Sequence, residues 1–205
     1  MKKLLLALVL LASSGINAQI SNFDDFFDRT DAFLGESVSF GRVDYQKMNT
    51  SELDTLIEFI GTADYENAEE TTRKAFLINA YNLVVIKQVM DYYPISSPMD
   101  VFGFFEVNTY KVGGEDITLN HLENEIMRKK YPDPRYHFVL VCGAIDCPPI
   151  DSKAYRPATL EEQLNSRTGS ALNNEGFVYE EDGKVYLSQI FQWYGIDFGK
   201  NTSEV

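Results

Sequence analysis

With 18 basic and 31 acidic side chains among its 205 residues, the chain carries a net charge of −13 at neutral pH. A polyanion repels phosphate groups, which argues against nucleic acid and anionic membrane surfaces as partners. The length suits one domain with a sizeable hydrophobic core and does not require two.

The first eighteen residues, MKKLLLALVLLASSGINA, have the layout of a secretory signal peptide. Two lysines precede an apolar run that is too short to span a bilayer, and small residues lead to Ala18. We therefore expect a mature chain that begins near Gln19 and is exported to the periplasm or the extracellular space. No integral membrane segment is expected after removal of the signal.

Hydrophobic periodicity and turn residues place the later elements in order. Proline disfavours helix in its predecessor, so the long central helix should end before Pro94. Apolar β-branched residues at 136–142 predict a strand covered on both faces. The first predicted helix ends at Gly35, and the second spans Glu52–Ile60 with Ser51 and Asp54 at its start. The central helix is capped by Thr71 or Thr72 and runs to about Tyr93. Later helices run from a Thr118 cap to about Lys130, over Thr159–Leu172 and after a Ser188 cap, and hairpins are predicted at Gly113–Gly114 and Asp182–Gly183.

This order predicts a single α+β domain, rich in helix, with a small and mainly antiparallel sheet and two hairpins. The chain shows neither repeats nor low-complexity segments. Nothing in it indicates a cofactor.

Two asparagines, Asn79 and Asn82, lie three residues apart in the otherwise apolar run FLINAYNLVVI. That spacing puts both on one face of a helix. A buried amide without a partner costs roughly 1 to 3 kcal/mol, so both must be hydrogen-bonded. They either hold the backbone of a neighbouring loop or bind a ligand directly.

The only cysteines, Cys142 and Cys147, lie close together in the stretch CGAIDCPP. In an oxidising compartment such a pair forms a structural disulfide unless something protects it. The alternative is a reactive thiol, with His137 lowering its pKa and acting as base. If this segment is a strand, His137 and Cys142 cannot pair. Five residues of strand span about 16 Å, and side chains an odd number of residues apart point to opposite faces. Without paired histidines, the cysteines make a poor zinc site, so no metal is expected.

One helix carries two further candidate binding residues, His121 and Glu123. His121 falls in the first turn, where the positive helix end favours a neutral imidazole that could act as base or donor. On a lone exposed turn, however, such a histidine is more often a surface residue. Glu123 could pair with the helix amides as a capping carboxylate or serve as a catalytic one.

Seven motifs in this order resemble the family called domain of unknown function 547. The resemblance places the family domain at 43–200, after the signal at 1–18 and an N-terminal helical segment at 19–42, and leaves a tail at 201–205. It also implies that the two asparagines, His137 and the two cysteines belong together as the family's signature. The motifs are VDY at 43–45, AFLINAYNLVVI at 75–86, YKVGG at 110–114, ITLNHLENEIMR at 117–128, HFVLVCGAIDCPP at 137–149, AYRPATLEEQLN at 154–165 and IFQWYGIDFG at 190–199.

The chain departs from the family pattern at three positions. The family usually has tryptophan where this chain has Leu77, histidine where it has Asn124, and serine where it has Asp146. The loss at Asn124 removes a basic residue from the helix that carries His121. A carboxylate next to Cys147 disfavours its thiolate, which counts against that residue as a nucleophile.

Three functions fit these features. The first is a binding or scaffold module of the cell envelope, in which Asn79 and Asn82 brace a loop fixed by the cysteines. Its partner would be a peptide, a glycan or an envelope protein that is cationic or uncharged. The second is a cysteine-dependent hydrolase or acyl transferase acting on peptides or envelope polymers, with His137 as base. Thiol–disulfide exchange ranks third, because the cysteine spacing is not CxxC.

Overall fold

The computed structural model describes residues 19–143 and 147–199, which form a single α+β domain in which helix predominates. Strands occur as three separate antiparallel pairs, β1 with β2, β3 with β4 and β5 with β6. The elements are α1 (Phe23–Ser37), β1 (Val38–Ser39), β2 (Arg42–Val43), α2 (Thr50–Thr62), α3 (Glu70–Asp91), β3 (Thr109–Val112), β4 (Glu115–Thr118), α4 (Leu119–His121) with a π-helical continuation (Leu122–Arg128), α5 (Leu160–Leu172), β5 (Val178–Glu181), β6 (Lys184–Leu187), α6 (Ile190–Trp193) and α7 (Gly195–Phe198), with 3₁₀ turns at Pro98–Asp100, Pro134–Phe138 and Pro157–Thr159.

The central helix α3 is the axis of the core. Every residue from Ala75 to Ile86 is buried, so this segment is covered on all sides rather than along one stripe. A helix that is apolar all round can only be stable inside a protein. Any polar side chain in this stretch must therefore find its partners within the protein.

The N-terminal segment belongs to the same core as the central helix. The ring of Phe26 on α1 lies 5.2 Å from that of Phe59 on α2 and 5.4 Å from that of Phe76 on α3. Such aromatic contacts add to the stabilisation that burial itself provides. Residues 19–42 thus pack as part of the domain, whereas 1–18 and 201–205 lie outside the described residues.

The sequence prediction of a strand at 136–142 is wrong. Pro134–Phe138 forms a 3₁₀ turn, and the irregular stretch that follows pairs with none of the strands in the described residues. Its backbone is instead hydrogen-bonded by a side chain of α3, as described below. An apolar run indicates that a segment is buried on both faces, but it does not specify whether the segment is a strand or which element packs against it.

Both predicted hairpins are present, with turns at Gly113–Gly114 and Asp182–Gly183. The predicted cap at Thr118 is also confirmed, since its hydroxyl accepts from His121 N at 3.1 Å. The prediction that Ser51 starts α2 is wrong. The N-cap is Asn49, whose Oδ1 accepts a hydrogen bond from Glu52 N at 3.2 Å.

The C-terminal part packs on a small hydrophobic cluster of its own. Phe138, Ala171 and Phe177 form this cluster, and Phe191 and Phe198 of the last two short helices pack against it. Strands β5 and β6 are almost entirely exposed. The last elements are therefore attached to the domain through a limited apolar contact.

Candidate functional site

Asn79 and Asn82 are both buried, and each amide pairs with backbone as a peptide group would. Asn82 Nδ2 donates to Val139 O at 3.0 Å, and its Oδ1 accepts from Val141 N at 3.0 Å. Asn79 Nδ2 donates to Tyr155 O at 2.7 Å, and its Oδ1 accepts from Tyr155 N at 3.0 Å. The helix thereby fixes the two chain segments that flank the cysteine loop.

Cys142 and Cys147 form a disulfide, with their Cα atoms 5.9 Å apart. Gly143 follows the first cysteine with a positive φ of 72°, and a Cβ built there would lie 3.0 Å from Pro98 Cγ. Glycine is suited to this position because it adopts such a φ without steric cost. Asp146, a departure from the family pattern, lies outside the described residues.

A cavity of about 380 Å³ lies beside this disulfide. One wall comes from the central helix, another from the β1–β2 hairpin, and the third from the cysteine loop and the prolines that follow it. Of the described residues that line it, Arg42 alone is charged. The lining residues are Phe40, Gly41, Arg42, Val43, Tyr45, Val85, Ile86, Val141, Gly143, Cys147, Pro148, Pro149 and Ile150.

A second cavity of about 340 Å³ adjoins the first and shares Arg42, Val43 and Tyr45 with it. The Tyr45 ring stacks on Tyr93 at 5.9 Å, and burial raises the pKa of Tyr45 to about 12. Tyr45 therefore stays protonated at neutral pH. These two adjoining cavities, which share Arg42 and Val43 of β2, are together called the groove.

The hairpin turn that borders this groove is held against the cysteine loop. Gly41 O accepts from Ile150 N at 3.2 Å, and a Cβ at Gly41 would lie only 2.5 Å from Pro149 Cβ. Phe40, the other residue of the turn, has a positive φ of 51° and is fully exposed. An aromatic residue in the left-handed region is a strained outlier.

His137 lies in a different polar cluster and is absent from the groove lining. Its Nε2 is 2.7 Å from Asp197 Oδ2, and its ring stacks on Tyr194 with centroids 3.9 Å apart. Arg128 Nε donates to the same Asp197 oxygen at 2.7 Å. Burial lowers the pKa of His137, although the Asp197 carboxylate acts in the opposite direction.

Glu123 belongs to this second cluster as well. Tyr81 Oη donates to Glu123 Oε2 at 3.0 Å, and the Tyr194 side chain also lies close to this carboxylate. Burial raises the pKa of Glu123 and, more strongly, that of Tyr81. Asn124, where the family usually has histidine, accepts a hydrogen bond from Arg128.

The predicted site residues therefore lie in two separate places, apart from His121. The asparagines and cysteines border the groove or hold its walls, whereas His137 and Glu123 belong to the second cluster, each in contact with residues of it. His121 is exposed, and its backbone N–H donates to the capping hydroxyl of Thr118. The described residues contain no group of three or more His, Cys, Asp or Glu side chains placed to hold a metal ion.

Sequence reasoning missed four members of the second cluster. Tyr81 lies inside the asparagine motif and Arg128 ends the LENEIMR run, one helical turn after Asn124. Tyr194 and Asp197 occur in the motif IFQWYGIDFG. The only sequence signal for these residues is that they lie within the family motifs. Their contacts could not be predicted, because Asp197 binds Arg128 and His137 from a segment 60 to 69 residues away in the chain.

The fold and the site define a helix-rich α+β domain with a disulfide-fixed loop beside a groove. A protein-family model described as "Protein of unknown function, DUF547" matches residues 65–170. The chain belongs to this family. Comparisons with curated proteins and with solved structures give no match. Within residues 19–143 and 147–199, no helix has the length and apolar character needed to cross a bilayer.

Proposed function

We propose that this protein is an exported binding module of the cell envelope and that its groove receives an extended, uncharged segment of a partner polypeptide. The observation that carries this proposal is Phe40. Its ring is fully exposed at the groove, on a backbone with φ of 51°. Folding would favour glycine or asparagine there, so the aromatic ring is best explained by contact with a partner.

The chemistry of the groove favours an uncharged ligand. The described lining of the two cavities is mostly aliphatic and aromatic, and it carries one positive and one negative side chain, Arg42 and Asp44, so a charged ligand would lose hydration without facing a net complementary charge. The two adjoining cavities favour an extended chain over a compact molecule.

The bracing of the groove also supports binding rather than cysteine chemistry. A disulfide sulfur is not a nucleophilic thiolate, and His137 is engaged with Asp197 in the other cluster. Rigid walls reduce the entropy lost on binding, which is the advantage of a preorganised site. Export is supported by the signal-like N terminus and by the disulfide, which is typical of an oxidising compartment.

The proposal is tested by titrating the full mature chain with acetylated and amidated hexapeptides that are apolar, lysine-containing or aspartate-containing. Methyl NMR shifts of Val43, Val85 and Ile150 should move with the apolar peptides, and calorimetry should give a Kd that weakens at least tenfold in Phe40→Asn. Asparagine suits the positive φ, so this variant should fold at least as well as the parent. Tyr179→Asn, on an exposed strand outside the groove, is the matched control.

Two results would contradict the proposal. One is that none of the peptides shifts the groove methyl groups at millimolar concentration. The other is that Phe40→Asn binds as tightly as Tyr179→Asn. Turnover of a peptide ester that appears only when a cysteine is free would instead favour the cysteine-dependent hydrolase.

A further inference from the structure

The C-terminal strap, defined as residues 188–199, covers the second polar cluster. Phe191 and Phe198 pack on the small hydrophobic cluster around Phe138, separate from the main core. On the other side, Trp193 and Ile196 are 70% and 83% exposed. A segment of two single-turn helices with one apolar side in contact can detach at lower cost than a core element.

The strap presents a carboxylate to two converging donors. Arg128 Nε and His137 Nε2 both lie 2.7 Å from Asp197 Oδ2. Hydrogen bonds between ionised groups are the strong ones, and a guanidinium suits a carboxylate in both charge and shape. The donors come from the body of the domain, whereas the acceptor belongs to the strap.

An aromatic ring accompanies this carboxylate. Tyr194 stacks on His137 with an interplanar angle of 25°, and the Arg128 guanidinium carbon lies 4.7 Å from the centre of the same ring. The ring is therefore held by His137 and Arg128, the two side chains that also bind Asp197. Glu123 also lies close enough to the Tyr194 side chain to interact with it.

Anchoring of the strap does not by itself account for this arrangement. The apolar contact with Phe138 already attaches the strap, and the Arg128–Asp197 ion pair is partly exposed to solvent, where an ion pair adds little net stability. Burial of Glu123 and His137 carries a desolvation cost as well. The cluster therefore has the composition of a binding site, and the strap of the same chain occupies that site.

We infer that Arg128, His137 and Glu123 form a binding site for a ligand that joins a carboxylate to an aromatic ring, and that Tyr194 and Asp197 of the strap occupy it in the free protein. A small aryl carboxylate and a peptide ending in tyrosine offer the same two groups. Either displaces the strap, which then exposes the site. The site is separate from the groove and does not depend on its function.

The chain provides its own reporter, because its one tryptophan is Trp193 on the strap. The full mature chain is titrated with N-acetyltyrosine, N-acetyltyrosinamide and a pentapeptide ending in tyrosine. Calorimetry measures binding, and Trp193 fluorescence anisotropy measures release of the strap. The acid should bind and lower the anisotropy, whereas the amide should do neither. Comparison of the acid with the peptide identifies the source of the carboxylate.

Asp197→Asn separates a ligand site from a simple anchor. Asparagine keeps the shape of the side chain but removes the charge that competes with the ligand, so N-acetyltyrosine should bind at least tenfold more tightly than to the parent. Asp182→Asn, on the exposed turn between β5 and β6, should leave the affinity unchanged. Arg128→Gln should remove binding in either background.

Three outcomes would overturn the inference. In the first, N-acetyltyrosine binds neither the parent nor Asp197→Asn at 10 mM, a concentration of the order of a very weak Kd. In the second, acid and amide bind equally. In the third, binding occurs while Trp193 anisotropy stays constant. Circular dichroism of each variant establishes that the domain is folded, so loss of structure is not read as loss of the site.

Discussion

Asn79 holds Tyr155 by both of its backbone polar groups, donating to its carbonyl oxygen at 2.7 Å and accepting from its N–H at 3.0 Å. This is the hydrogen-bond pattern of a β-ladder, made here between a helical side chain and an extended segment. One turn along α3, Asn82 does the same for Val139 and Val141. The segments on both sides of the disulfide loop are thus tied to one rigid helix.

Replacing Asn82 with leucine should lower the free energy of unfolding by about 2 to 4 kcal/mol, because two buried backbone groups lose their partners. Asn82→Asp should be comparably destabilising, since it keeps the acceptor but loses the donor and buries a charge. Urea denaturation measures both. Asn67→Ala, whose side chain bonds only Asp64 at the surface, should cost less than 1 kcal/mol. A small effect of both Asn82 variants would contradict bracing.

Reduction of the disulfide should lower the free energy of unfolding by about 2 kcal/mol, the loop-entropy value for so short a loop. Intact mass and thiol labelling of protein exported with its own signal should show both cysteines blocked until reductant is added. The melting temperature should then fall. Cys142→Ser with Cys147→Ser provides the control without reductant. A free cysteine that alkylates faster than a model thiol, and more slowly after His137→Ala, would favour the hydrolase.

Gly41→Ala should disrupt the junction between the hairpin and the cysteine loop. The new Cβ would meet Pro149 Cβ at 2.5 Å on a backbone with φ of 72°, so both the proline and the turn must shift. We expect a loss of about 1 to 3 kcal/mol in urea denaturation. Gly183→Ala is the matched control: its φ of 70° is similar, but nothing lies within 4 Å of the new Cβ. Equal losses in the two variants would exclude the contact with Pro149 as the cause.

His137 should make stability depend on pH. Its folded pKa lies below the unfolded value of 6.5, so the unfolded chain binds the proton first as the pH falls. The free energy of unfolding therefore decreases as the pH drops through 6.5 towards the folded pKa, by at most about 1.4 kcal/mol per pH unit. Asp197 faces His137, and its own lowered pKa acts only below 3.8.

The His137 contribution is read from the difference between the parent and His137→Gln. Glu123 has a raised pKa and so gives a slope of opposite sign, while Arg128 keeps its charge throughout. Urea denaturation from pH 7.5 to 5 should give a shallower slope in His137→Gln than in the parent. Identical slopes in the parent and in His137→Gln would refute the prediction.

The sequence by itself determined most of the helices, both expected hairpins and the family. It did so because caps, glycine turns and helical periodicity are local signals that act over a few residues. Two cysteines allow only one pairing, but the sequence also left a reactive thiol open, and the disulfide is a finding of the structure. Burial of the asparagine face was evident from the apolar residues around Asn79 and Asn82.

Tertiary structure alone decided what these residues contact. The run at 136–142 looked like a strand because its residues are apolar on both sides, yet its neighbour is Asn82 on a helix. His137 and Cys147 are close in sequence but serve different sites, since His137 turns to Asp197, sixty residues on. Contacts over such distances are fixed by packing of the whole chain, and no local pattern records them.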